Sequence, residues 1–126
     1  MSADAAKAEA GSSSDCLFCR IVRGEIPSDV VLSTDGAYAF RDIEPAAPVH
    51  VLVVPRRHVT NASELDTDDG PLLAELFAAA NQVAKQEGIA DSGYRLVLNV
   101  GDDAQNSVPH LHVHVMGGRP MGWPPG

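Results

Sequence analysis

Cysteine is scarce in this chain: Cys16 and Cys19 are the only two among 126 residues. Two cysteines three positions apart cannot frame a disulfide-stabilised secreted scaffold. Basic residues are few as well, 9 Lys and Arg against 17 Asp and Glu, for a formal net charge of −8. Gripping a nucleic-acid polymer takes a basic surface, so that class of partner is excluded. A small phosphate ligand is not, because a few N–H groups or imidazoles can hold one. No apolar run approaches the roughly 18 residues of a membrane-crossing helix. Residues 1–15 lack the apolar stretch of a secretory leader. The expectation is a cytoplasmic protein with no membrane partner. No Gly-x-x-x-x-Gly-Lys loop occurs, which disfavours NTP-driven motor and kinase chemistry.

What is present fits one domain. Residues 1–15, rich in Ala, Ser and Gly, are expected to form a disordered tail, and residues 16–126 the single domain. Apolar Leu17, Phe18, Ile21 and Val22 predict a short helix from Cys16 to Arg23, ended by Gly24 and Pro27. Val30–Leu32 and Ala37–Phe40 flank Asp35-Gly36, a hairpin signal. Asp42 to Pro48 reads as a loop, and the β-branched run Val49 to Val54 as a central strand. Asp68-Asp69-Gly70-Pro71 opens a long helix with an apolar stripe from Leu72 to Ala84, and Gly88 ends it. Tyr94 to Val100 and His110 to Met116 read as strands. More strands than helices, joined by short turns, predict an α+β domain with a largely antiparallel sheet, one long helix and one short one.

Three of the five histidines fall within five residues, His110-Leu111-His112-Val113-His114. On a strand, alternate side chains share a face, so the three imidazoles line up while Leu111, Val113 and Val115 face a core. Same-face neighbours lie roughly 6–7 Å apart, which makes a single metal ion held by all three a strained arrangement. A division of labour is easier, with the outer rings orienting or holding charge and the central one reacting. An imidazole is an uncharged nucleophile near neutral pH, suited to attack on phosphorus. The preceding loop, Asn106-Ser107-Val108, supplies side-chain and backbone donors for phosphate oxygens. Cys16-Leu17-Phe18-Cys19 has the spacing of half a zinc site, but two ordinary thiols on a helix start fit it equally well.

The motifs together resemble the histidine triad (HIT) superfamily, in its Hint branch of nucleotide-binding proteins. The resemblance rests on the alternating triad, on Gly24-Glu25-Ile26-Pro27-Ser28, Ala39-Phe40-Arg41-Asp42-Ile43 and His50 to His58, on Gly93-Tyr94-Arg95 to Asn99, on Gly117-Gly118-Arg119, and on Trp123-Pro124-Pro125-Gly126. It implies a five-stranded antiparallel sheet per subunit, joined across a homodimer into one long sheet. It implies hydrolysis of purine nucleoside phosphoramidates such as AMP joined to an amine, with AMP released. His112 would carry the nucleotidyl intermediate, His114 and Ser107 would contact the α-phosphate, and His50 would act as a fourth histidine supporting His110, His112 and His114. Asp42 and Ile43 would meet ribose and base, Asn99 would line the pocket, and Trp123 would reach toward the partner's site. No cofactor is required for the chemistry. Some relatives complete a structural zinc site at the positions of Cys16, Cys19, His58 and His110. Asn106 stands where glutamine is usual, and Pro109 where an aromatic residue is common. Two alternatives remain open: a dinucleoside polyphosphate hydrolase of the same superfamily, and a non-enzymatic nucleotide-binding or interaction protein.

Overall fold

The computed structural model describes residues 16–126, so the expected tail lies outside the described residues. Helix α1 (Leu17–Val22) is capped by its own first cysteine: the Cys19 amide donates to Cys16 Sγ at 3.3 Å. The Asp35-Gly36 turn then joins β1 (Val30–Ser33) to β2 (Ala37–Arg41). Glu75 holds that turn from outside, accepting from the Gly36 amide at 2.8 Å and the Thr34 hydroxyl at 3.2 Å. Strand β3 (Val49–Pro55) pairs with a strand on each side and is buried beyond Val49, as its β-branched run predicts.

Helix α2 (Gly70–Gln86) begins with Pro71 in its first turn. The turn before it is closed by reciprocal Asp66 and Asp69 backbone bonds, and Asp69 also meets Arg57 at 2.8 Å. Its inward stripe is Leu76, Ala79, Ala80, Val83 and Ala84. Leu72, Leu73 and Phe77, read as part of the stripe, are half-buried. Gly88 follows with φ +77°, a left-handed conformation that glycine adopts without penalty. Strand β4 (Tyr94–Val97) is shorter than the predicted Tyr94 to Val100.

Strand β5 (Val113–Gly117) starts three residues later than predicted. The His110 amide donates to the Val108 carbonyl at 2.8 Å and the Leu111 amide to the Val59 carbonyl at 2.5 Å. These bonds tie residues 108–111 into a turn and to the segment after β3, so the ladder begins only at Val53 opposite Val113. Alternation of residue type does not distinguish an extended segment from a paired one.

The sheet order is β1-β2-β3-β5-β4, antiparallel throughout. Its two faces are covered differently. Ala37, Ala39, Val51, Val53, Val113 and Val115 pack under α2. Phe40, Leu52 and Val54 face α1, against Phe18, Cys19 and Ile21. Because side chains alternate, burying Val113 and Val115 under α2 turns His114 to the α1 side, opposite Leu52. No helix among the described residues is long and apolar enough to cross a membrane.

Candidate active site

On the α1 side lies a cleft of about 200 Å³ lined by His112, His114, Ser107, Val108, Asp42 and Ile43. Its remaining walls are Leu17 and Phe18 from α1, Phe40 and Arg41 from β2, and Leu52 from β3. Sequence reasoning missed these five: Leu17, Phe18, Phe40 and Leu52 are apolar residues on amphipathic elements and read as core, and Arg41 reads as a charge on an exposed strand end. Ile43, an apolar side chain at the mouth, is 94% exposed. Asn99 and Asn106 are half-buried and do not line the cleft, nor does Trp123, which is exposed with Arg95 stacked over its ring at 6.0 Å. The Oδ1 of Asn106 is buried with no hydrogen-bond partner among the described residues. A larger hollow of about 600 Å³, bounded by Gly88, Ile89, Gly93, Gly118 and Arg119, contains no histidine. Volume alone therefore does not mark the chemistry.

Backbone partners fix the protonation of the rings. His112 Nδ1 lies 2.7 Å from the His110 carbonyl oxygen, which can only accept, so Nδ1 carries the proton and Nε2 keeps its lone pair. The Ala46 amide donates to His50 Nδ1 at 2.9 Å, so the His50 proton sits on Nε2. From there it is donated to His114 Nδ1 at 2.9 Å, which leaves His114 with its N–H at Nε2. The His112 and His114 ring centroids are 5.0 Å apart. The cleft thus holds a ring with a free lone pair beside a ring that is a donor.

Asp42, His50 and His114 also lie close enough together to suggest a cation site. The Ala46 amide argues against it: a His50 Nε2 that bears a proton cannot ligate. Asp42 Oδ2, 3.4 Å from that Nε2, instead shares the His50 proton.

His110, expected beside the reacting ring, is fully buried and committed elsewhere. Its Nε2 donates to the Pro55 carbonyl at 2.9 Å, which leaves the Nδ1 lone pair facing Cys16 Sγ at 3.3 Å, Cys19 Sγ at 3.5 Å and His58 Nδ1 at 3.2 Å. His58 Nδ1 is in turn 3.3 Å from Cys19 Sγ. A tetrahedral zinc with bonds of about 2.3 Å to sulfur and 2.0–2.1 Å to nitrogen sets its ligand atoms roughly 3.3–3.7 Å apart. The two thiols and two imidazoles match that spacing, and the donor set is one that zinc prefers.

Burial sets the titration of the site. It pushes His114 down to about 4, helped by the adjoining His112 and His50 rings. It lowers His112 against the opposing pull of the His110 carbonyl, and lowers His50 against that of Asp42. These rings are therefore neutral at pH 7. Burial also pushes the Cys19 thiol up to about 12 and His110 down to about 4.

The HIT domain pattern matches residues 23–121. An uncharacterised HIT-like protein of Synechococcus elongatus is 44% identical over 114 residues, covering 90% of this chain and 99% of that protein. Among solved structures, a HIT family hydrolase of Legionella pneumophila superposes with a TM-score of 0.87 at 46% identity, covering 89% of this chain and all of that one. A histidine triad nucleotide-binding protein of Candida albicans does so with a TM-score of 0.75 at 30% identity, covering 87% of this chain and 83% of that one. The chain belongs to the HIT domain family.

Proposed function

We propose that this protein is a Hint-type hydrolase of purine nucleoside phosphoramidates, working through a nucleotidyl-His112 intermediate. The observation that carries the reading is the 2.7 Å bond from His112 Nδ1–H to the His110 carbonyl, which leaves the Nε2 lone pair as the nucleophile in a cleft with a donor beside it. His112 Nε2 attacks phosphorus, and the P–N electron pair leaves on the amine nitrogen, which takes a proton from water. Water then attacks phosphorus, the P–Nε2 bond breaks, its electrons return to His112, and the water proton is released with AMP. His114 Nε2–H and Ser107 hold the phosphoryl oxygens as charge develops. The apolar walls Phe18, Phe40, Leu52 and Ile43 suit a purine, and Asp42 suits a ribose hydroxyl. The nucleotide-binding description of the Candida albicans neighbour supports a nucleotide substrate.

Structural zinc is part of the reading. Cys16, Cys19, His58 and His110 would hold it, and it would supply a clamp between α1 and the turn before β5 while keeping both sulfurs as thiolates. A homodimer is also part of it. Strand β4 lies at the sheet edge, and a second copy there would extend the sheet. Two unpaired cysteines suit the reducing cytoplasm.

The test is a rapid quench of excess enzyme with adenosine 5′-phosphoramidate, followed by intact mass measurement. A transient adenylyl adduct that disappears in His112→Gly is expected. Turnover without an adduct, or undiminished in His112→Gly, overturns the reading. Faster hydrolysis of a dinucleoside triphosphate would favour the polyphosphate alternative.

A further inference from the structure

We propose that Arg119 is a positioning residue for the His50–His114 pair, acting through the backbone of Ala46. The proposal rests on the phosphoramidase reading of that pair. The Ala46 amide is the contact on the Nδ1 side of His50, at 2.9 Å, and it keeps that nitrogen unprotonated, while Asp42 Oδ2 and His114 meet the proton on Nε2. Ala46 is exposed on the irregular loop between β2 and β3, flanked within two residues by Pro45 and Pro48, which have no amide to anchor it. Backbone pairing ends at Asp42, whose amide donates to the His50 carbonyl at 3.0 Å, and resumes at Val49 opposite Gly117.

Arg119 secures that loop from the far end of the chain. Its Nη2 donates to the Ala46 carbonyl at 2.9 Å and its Nη1 to the Pro120 carbonyl at 3.0 Å. One planar guanidinium thus ties the loop to the segment that follows β5. The route is set by the sheet: His50 is opposite Met116, so residues just beyond β5 come to lie beside the residues just before β3. Gly118 permits the close approach. Its φ is +94°, and a Cβ there would stand 2.9 Å from the Pro48 Cβ. A side chain at 118 would lift Arg119 off the loop.

The consequence runs through bonds already described. With the Ala46 carbonyl unheld, the neighbouring amide turns away from His50 Nδ1 for part of the time. The His50 ring is then held only by its Nε2 contacts to Asp42 and His114, so its proton position and orientation are no longer fixed from the Nδ1 side, and His114 Nε2–H is no longer aimed at one place. Arg119 is exposed and does not line the cleft, so the effect is expected to fall on kcat. Lysine keeps the charge but has no planar fork, so it restores only part.

The experiment compares Arg119→Ala and Arg119→Lys with the wild-type chain in two measurements. With adenosine 5′-phosphoramidate, Arg119→Ala is expected to lose roughly tenfold in kcat while KM stays within about twofold, with Arg119→Lys between it and wild type. In the free protein, long-range proton–nitrogen spectra of the imidazoles are expected to show His50 Nδ1 as an unprotonated, hydrogen-bonded nitrogen in wild type and as a mixture of tautomers in Arg119→Ala. Unchanged His50 signals in Arg119→Ala overturn the proposal whatever happens to kcat, and so does a change confined to KM. Should wild type fail to cleave the phosphoramidate, the functional reading falls, while the His50 spectrum still decides the role of Arg119.

Discussion

The carbonyl of His110 accepts the Nδ1–H of His112 while the ring of His110 points its own Nδ1 at two thiols and an imidazole. One residue therefore belongs to both centres: its backbone fixes the proton of His112, the proposed nucleophile, and its side chain is a corner of the Cys2His2 cluster. The proposed clamp and the proposed chemistry are joined at a distance of two residues.

Removal of the proposed zinc is expected to reach the active site through that residue. Protein purified without added zinc should carry about one zinc per chain by elemental analysis. Chelation, or Cys16→Ser, should cost about 3 kcal/mol or more of unfolding free energy in denaturant titrations and lower kcat as His110 loosens. A zinc content near zero, with stability indifferent to chelator, would dismiss the clamp.

Phe18 bears on the cleft from the other side. It is 4% exposed and packs edge-on against Phe40 at 5.4 Å and His112 at 5.1 Å. Phe18→Ala should destabilise by about 3–5 kcal/mol, and Phe18→Leu by about 1 kcal/mol. Because the ring also walls the cleft, Phe18→Leu should raise KM for the nucleotide more than it lowers kcat, which steady-state kinetics will show.

His114 tests the donor assignment. His114→Ala should reduce kcat by about two orders of magnitude, the usual cost of losing a preorganised donor to a developing oxyanion. The adduct on His112 should still form, only more slowly, so a single-turnover mass measurement separates this role from that of the nucleophile.

Acid should unfold the protein through its neutral rings. His114 is pulled from 6.5 to about 4 in the fold, and His50 is also lowered. The unfolded chain takes up protons first as pH drops below 6.5, so the folded state is at full advantage above that value and loses it progressively toward pH 4. Denaturation midpoints measured from pH 7.5 to 4 should fall across that window. Because His112 is lowered as well, kcat should persist below pH 6.5, where more than half of a free imidazole population would be protonated.

Much of this was legible in the residues, and the exceptions share a cause. The Asp35-Gly36 hairpin, the β-branched β3 and the α2 stripe are local patterns that tertiary structure left in place. The alternation of histidines correctly puts His112 and His114 in one cleft. It could not show that His110 turns its ring to the cysteines, because that depends on the Val108 and Val59 carbonyls that bend the segment. Leu17, Phe18, Phe40 and Leu52 carry no chemical signature, and only their convergence on one face of the sheet makes them a binding wall. Asn99, Asn106 and Trp123 do not line the cleft within one chain.

The sheet is a partition one residue thick between Val113 and Val115 on one side and His112 and His114 on the other. Anything that lets the valines settle differently against α2, even a single missing methyl, must tilt the imidazoles mounted back to back with them. Activity should therefore serve as a sensitive gauge of how well the opposite, chemically silent half of the molecule is filled.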